Sequence, residues 1–474
     1  MIPFLPDVFD IFPKQDIMGV PFYQARGDSL MSDILSPRRK LTSAQIIILG
    51  FSGVILLGAL ILMLPISSAQ GVVTPFGETL FTATSAVCVT GLVVHDTALY
   101  WSPFGQAVIL LLIQVGGLGV VTAAVAVFTI SGRRISLMQR STMQEAISAP
   151  QVGGIVRATV FIVRCTLVIE LLGAAAMAPV FCRDFGAKGL WMALFHSVSA
   201  FCNAGFDLMG EGGAYSSLVA YADDPVINVT VMLLIIVGGI GFLTWEDVRA
   251  NRWHVRRYRL QSKMVLCTTG ILLLVPAVYF FTREYAQLSM GQRLLASMFQ
   301  AVTPRTAGFN TMDLTLLKDA GIFIMIALML IGGSPGSTAG GMKTTTAAVM
   351  ATAAWSVFRR EEHAHLFGRR MDDKVVKQAA TILVMYLALF FTGALVISVA
   401  EDLPMDVCLF ETASAIGTVG LTLGLTPSLG WLARGILIFL MFFGRVGGLT
   451  LIFAAMSETN KAAARLPQEK ITVG

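Results

Sequence analysis

Eight apolar stretches, joined by short polar connections, set the first limit on how this chain folds: 45–64, 105–130, 155–180, 226–245, 264–282, 322–331 with a continuation beyond a break, 379–400 and 435–455. Most approach the ~20 residues that a helix needs to cross the hydrocarbon core of a bilayer. Lipid offers no partner to a backbone N–H or C=O, so a spanning segment must satisfy its own, and the helix does so within one segment. Over the whole chain 55% of residues are hydrophobic and 13% charged, with a mean hydropathy of +0.75. A soluble domain carries about a quarter charged residues. The expected fold class is therefore an all-α polytopic membrane protein.

The net charge of +5 is informative by location. Basic residues gather in alternate connections: Arg38, Arg39 and Lys40; Arg133, Arg134 and Arg140; Arg249 to Arg259; Arg359 to Lys374; and Lys461, Arg465 and Lys470. This asymmetry places both termini in the cytoplasm. It also accounts for the basic balance without a nucleic-acid partner, because the clusters are separate short loops flanking spans. The six cysteines show neither CxxC nor His-paired metal spacing, so no metal centre is expected from them. Residues 1–40 carry prolines at 3, 6, 13, 21 and 37 and lack the basic start and apolar core of a signal peptide. They read as a retained cytoplasmic tail, matched by a second at 458–474.

One pattern is written four times: SAVCVTGL (85–92), SAFCNAGF (199–206), VTPRTAGF (302–309) and SAIGTVGL (414–421). Each sets a glycine before an apolar residue, at Gly91, Gly205, Gly308 and Gly420, and successive glycines are 114, 103 and 112 residues apart. Apolar segments too short to span, 76–86, 190–200, 292–302 and 405–415, precede them and read as re-entrant half-helices. Each repeat is then span, half-helix, extended return, span, giving 41–132, 149–248, 260–358 and 374–457 around a pseudo-fourfold pore. Extended backbone at membrane depth is tolerated only where protein covers it or water and ions meet it. Four such returns would present rings of carbonyl oxygens, the device that replaces the hydration shell of potassium in a filter, and the four half-helix C-termini would add partial negative charge. The candidate potassium-binding filter comprises Val87, Cys88, Val89, Thr90 and Gly91; Phe201, Cys202, Asn203, Ala204 and Gly205; Pro304, Arg305, Thr306, Ala307 and Gly308; and Ile416, Gly417, Thr418, Val419 and Gly420.

The second span of each repeat carries another shared signature: QVGGLG (114–119), IVGGIG (236–241), LIGGSPG (330–336) and FGRVGG (443–448). Gly116, Gly238, Gly332 and Gly444 align; at the next position three repeats have Gly117, Gly239 and Gly333, and the fourth has Arg445. A charge inside a span costs ~2.5–3.5 kcal/mol on insertion scales and faces a bundle interior or a wet cavity. Arg445 is expected to project into the pore and meter cations; the alternative is an arginine neutralised by a packed carboxylate such as Glu170. The third repeat inserts Gly332, Gly333, Ser334, Pro335, Gly336, Ser337, Thr338, Ala339, Gly340, Gly341 and, two residues on, Lys343 into a stretch too long for one plain span. Proline breaks the helix there, and the composition suits a movable constriction, a gate, beneath the filter. A phosphate loop is excluded, since Met342 follows the GxxxxG spacing and no strand precedes it.

Beyond three of the four glycines stands a carboxylate, Asp96, Asp207 or Asp313, and carboxylates at an outer mouth raise local cation concentration. No Ser/His/Asp or metal-spacing constellation marks an enzyme. The competing reading is a secondary transporter of a small solute, which also uses broken helices at midplane; it calls for inverted repeats, whereas the basic loops orient all four alike. A less selective monovalent cation transporter is the nearer alternative.

The four filter glycines, TVG in the fourth repeat, PRTAGFNTMD in the third and GRVGG in the last span resemble the Trk/Ktr/HKT superfamily of potassium transporters over about residues 41–457, and the Ktr-type membrane subunit in particular. The resemblance implies potassium uptake across a bacterial-type cytoplasmic membrane, a homodimer with one pore per subunit, and a cytosolic regulatory ring of the KtrA type that binds ATP or ADP. No cofactor is expected in this chain itself. Sodium stimulation, a gate loop at 332–343 that Arg445 engages, and a C-terminal ITVG that contacts the partner ring are implied in the same way. With one shared glycine per repeat, fewer than in the filters of potassium channels, somewhat looser selection of potassium over sodium is expected.

Overall fold

The computed structural model describes residues 42–130, 141–144 and 155–455. The two expected tails, with the terminal ITVG, and the limits set at 132, 149 and 457 lie outside the described residues. The chain is built of helices. Its only strands among the described residues are His365–Leu366 and Arg369–Arg370, an antiparallel hairpin in a basic connection.

Among the described residues, four single helices are long and apolar enough to cross a membrane: α1 (Ser43–Leu62), α5 (Ile155–Phe185), α9 (Leu260–Tyr279, continuing as a π-turn to Glu284) and α13 (Asp373–Glu401). Only 28–33% of their apolar windows is buried, which puts them at the rim with faces such as Leu56, Leu57 and Leu60 exposed. The short helices behave in the opposite way. These are α2 (Phe76–Cys88), α6 (Lys188–Phe201), α10 (Met290–Val302) and α14 (Met405–Gly417). Their C-terminal halves are buried although rich in Ser and Thr: Thr82, Thr84 and Ser85 in α2, Ser197 and Ser199 in α6, Thr412 and Ser414 in α14. Polar helices inside and apolar helices outside is the arrangement of a bundle whose solvent is lipid.

Local signals set the starts. Thr42 and Gln45 close a capping box on α1, satisfying two orphan donors. Ser102 caps α3 (Pro103–Leu118) and Asp224 caps α7 (Pro225–Gly239); proline at the first helical position needs no N–H there.

The second spans depart from the expected plain helices. α3 stops at Gly119 and resumes as α4 (Val120–Ile130), α7 stops before Gly241 and resumes as α8 (Phe242–Asn251), and α15 (Trp431–Val446) stops at Gly447 before α16 (Gly448–Ala455). The three glycines share one conformation, φ 85–91° and ψ 132–140°, which L side chains rarely adopt; α7 and α8 meet at 94°. The third repeat has Pro335 at the equivalent position and a whole connection, 331–343, between α11 (Asp319–Leu330) and α12 (Thr344–Phe358). A break was expected only there. The signal for the other three was the last glycine of QVGGLG, IVGGIG and GRVGG. A Cβ at Gly241 would also stand 2.6 Å from the Pro335 carbonyl oxygen. Gly241→Ala is therefore expected to remove about 1–3 kcal/mol of stability, read as a lower Tm of the purified protein; an unchanged Tm would show that this corner is not constrained.

Candidate ion pathway

All twenty candidate filter residues are buried. Each loop carries two left-handed residues, the second always the shared glycine: Val89 and Gly91, Asn203 and Gly205, Thr306 and Gly308, Thr418 and Gly420, with φ between 53° and 92°. A β-branched residue at positive φ is a genuine outlier, and two of these four first positions are threonine and one valine. Between the two residues stand Thr90, Ala204, Ala307 and Val419.

The carbonyls of those intervening residues link the four loops. A Cβ on Gly91 would lie 2.5 Å from the Ala204 oxygen, and one on Gly205 would lie 2.7 Å from the Ala307 oxygen. On Gly308 it would run into the Val419 oxygen, and on Gly420 into that of Thr90. The sequence of contacts returns to its start, so the four loops surround one centre in chain order, too closely for any side chain at the glycines. Among the described residues, none of the four oxygens accepts a hydrogen bond.

The loop N–H groups, in contrast, are held from behind. Thr90 N and Gly91 N donate to Ser85 O and Oγ at 2.8 and 3.0 Å, and Val419 N and Gly420 N donate to Ser414 O and Oγ at the same distances. In the second loop Ala204 N donates to Ser199 O, whose Oγ donates to Phe206 O at 2.7 Å. In the third, Ala307 N donates to Thr303 O, whose Oγ1 donates to Phe309 O at 2.6 Å. These hydroxyls stand in the repeated motifs themselves, where the sequence reading gave them no part. Two more unforeseen anchors share an offset of nine residues before the glycine. His196 donates from Nδ1 to Met192 O (2.7 Å) and accepts from Leu208 N (3.3 Å). Glu411 accepts from Thr422 Oγ1 and, at 3.0 Å, from Thr426 Oγ1. Both fasten the outer limb of their own loop.

The 331–343 connection packs directly against these loops. Thr338 Oγ1 reaches Phe201 O (3.0 Å) and Asn203 Oδ1 (2.9 Å), and a Cβ on Gly341 would meet Gly417 O at 2.8 Å. Two of the second spans hold it: in the second repeat Ser334 N donates to Gly239 O (2.9 Å) and Gly336 O accepts from Phe242 N (2.7 Å), and in the fourth Gly341 N donates to Gly444 O (3.1 Å). Lys343 Nζ turns back to Ala339 O at 2.9 Å. Gly116, Gly238 and Gly444 share one setting, since a Cβ on each would strike the carbonyl four residues before its own filter glycine, at Val87, Phe201 and Ile416. Gly332 departs: its neighbour is Gly340 of the inserted connection.

Arg445 joins these parts. Its Nη1 donates to Thr338 O and its Nη2 to Gly116 O and, at 3.0 Å, to Gly117 O. At the break Gly119 N still donates to Gly116 O at 3.0 Å, while Gly117 O has no backbone donor among the described residues; a guanidinium at this helix C-terminus adds donors to both and meets the dipole. No carboxylate pairs with Arg445 among the described residues; Glu170 lies instead 3.9 Å from Cys202 Sγ. A cavity of about 240 Å³ opens below, lined by Arg445, Lys343, Gly117, Gly336 and Gly444 among others.

The three carboxylates differ. Asp96 is buried and ties two loops together: Oδ1 accepts from Ala98 N and Leu99 N, and Oδ2 accepts from Tyr215 N at 2.8 Å. Asp207, half-buried, accepts from Met209 N; burial, with a smaller push from the Asp96 charge, raises its carboxyl to about 7. Asp313 is exposed and caps its own turn through Thr315.

The profile of the family described as TrkH, cation transport protein, matches residues 31–465. The chain is 39% identical over 449 residues to the potassium/sodium uptake protein NtpJ of Enterococcus hirae, covering 92% of this chain and 98% of that one. It is 37% identical to the Ktr system potassium uptake protein B of Bacillus subtilis, with coverage of 92% and 97%. The crystal structure of the potassium transporter TrkH from Vibrio parahaemolyticus superposes with a TM-score of 0.69 at 19% identity, over 88% of this chain and 86% of that one.

Proposed function

Because the chain belongs to the TrkH family of cation transport proteins, which are membrane transporters and not enzymes, we propose that it carries potassium inward across a cytoplasmic membrane. The ring of Thr90, Ala204, Ala307 and Val419 carbonyls, unbonded and closed around one centre, is the observation that carries this reading. An alkali ion gives up water only where oxygens replace it, and carbonyls fixed from behind by Ser85, Ser199, Thr303 and Ser414 do so with little reorganisation. The filter is drawn from the twenty residues of the four returns, and the four repeats occupy 41–132, 149–248, 260–358 and 374–457. Both termini face the cytoplasm by the distribution of basic loops.

The 331–343 connection acts as the gate, held shut in this conformation by Arg445. The name of the Enterococcus hirae relative carries sodium as well as potassium uptake, and sodium is a second candidate cargo or stimulant here. The Ktr-type relatives make a homodimer and an ATP- or ADP-binding cytosolic ring of the KtrA type the partners of choice. Such a ring would act by moving α4, α8 or the 331–343 connection, and with them the carbonyls that Arg445 holds.

Three outcomes follow. Gly308→Ser sets a side chain against the Val419 oxygen, so rubidium uptake into vesicles should lose its preference over sodium; retained preference would remove Gly308 from the filter. Arg445→Ala deletes bonds from a charged donor worth about 1.5–3 kcal/mol, so basal flux should rise roughly ten- to a hundredfold if they hold the closed state. Unchanged flux with a lowered Tm would make Arg445 a packing residue. A carboxyl titrating near 7 is charged above that pH and neutral below it. Uptake at low external potassium should therefore fall as outside pH drops from about 8 to about 6, and Asp207→Asn should flatten that profile.

A further inference from the structure

Away from the pore, an open groove of about 500 Å³ lies between α5 and α8, lined by Val156, Arg157, Val160, Phe161, Arg164 and Arg249, with the three arginines exposed. It holds three guanidinium groups and no carboxylate. Among the described residues none of the three has an ion-pair partner or a side-chain hydrogen bond; Arg249 sits over the Phe161 ring, 4.7 Å from its centroid. Such a concentration of unneutralised charge on a span is costly in hydrocarbon, so its depth decides what it meets. Arg164 and Arg183 are nineteen residues apart on α5, about 28 Å along a helix, close to the ~30 Å of the hydrocarbon core. Arg164 therefore lies at one edge of that core. Arg157, one heptad earlier on the same face, lies about 10 Å further out, among the headgroups.

Arginine forks match phosphate oxygens in pairs, and Val160 and Phe161, between the two levels, offer the glycerol-ester region of a lipid an apolar wall. We propose that this groove is a binding site for an anionic phospholipid, with its phosphate clamped by Arg157, Arg164 and Arg249, its glycerol-ester region against Val160 and Phe161, and its chains entering the core beyond Arg164. The inference rests on the membrane-spanning reading and on the cytoplasmic placement of this end of α5, where anionic lipids add a negative surface potential. A phosphate in the groove would join the start of α5 to α8, the helix leaving the corner at Gly241.

The test is native mass spectrometry of the full chain in detergent, titrated with phosphatidylglycerol and separately with phosphatidylcholine. Wild type should retain phosphatidylglycerol selectively, and R157Q/R164Q/R249Q should weaken that retention by about tenfold or more, while R252Q/R256Q, on the neighbouring loop, keeps it. If the triple variant fails to fold, R249Q alone should still weaken retention measurably. Wild-type retention in the arginine variants would overturn the proposal. So would complete displacement of the lipid by millimolar inorganic phosphate, which would mark a soluble-anion site. Because lipid retention is read without ion flux, its failure would leave the potassium proposal standing, and the reverse holds as well.

Discussion

Everything in this structure turns on where backbone carbonyls go when no water is present to take them. In the rim helices the ladder satisfies them, and the helices can be as apolar as lipid demands. The four returns cannot do this, because a chain that turns back at membrane depth leaves its peptide groups open. The protein resolves half of the problem with groups a few residues away in the chain: hydroxyls of Ser85, Ser199, Thr303 and Ser414, with the carbonyls of the same residues, fasten the extended returns by hydrogen bonds. The other half, the oxygens of Thr90, Ala204, Ala307 and Val419, is left facing its counterparts across four glycines that no other residue could replace without collision. That residue of unmet acceptors is what the proposed function assigns to a dehydrated cation.

The same accounting explains the cytoplasmic half of the pathway. Breaking α3 at Gly119 opens the Gly117 carbonyl, and Arg445 from the fourth repeat donates to it and to the Gly116 carbonyl, which also accepts from Gly119 N, while holding Thr338 as well. An arginine in a span is expensive alone; here its donors meet main-chain oxygens that the fold has already opened. The contacts join a rigid helix end to an irregular connection through one side chain, which is the coupling the proposed gate would use.

Much of this was legible in the sequence, for a physical reason. A glycine that must accept positive φ against a neighbouring carbonyl cannot vary, so Gly91, Gly205, Gly308 and Gly420 stood out as a period, and half-helices of fixed length preceded them. α2, α6 and α14 end one or two residues beyond the expected limits, while α10 ends at its own; in α2 and α14 the last turn hands directly to the left-handed residue. Val89, Asn203, Thr306 and Thr418 could not be foreseen, because their strain is imposed by the ring and their identities differ. Nor could the partner of Arg445: the sequence offers carboxylates as acceptors, whereas the acceptors are carbonyls that exist only once α3 breaks. The breaks at Gly119, Gly241 and Gly447 were written in the text, yet a third glycine in a glycine-rich run says little until its φ is known. Asp96 looked like a free mouth charge, and only the fold brings Tyr215 to its second oxygen.

The most direct test of the central claim is anomalous diffraction from crystals grown with rubidium or thallium in place of potassium. The account predicts a peak on the axis, coordinated by the carbonyls of Thr90, Ala204, Ala307 and Val419 together. A well-ordered map with those oxygens in place and no peak between them, or with the ion held only elsewhere, would contradict it.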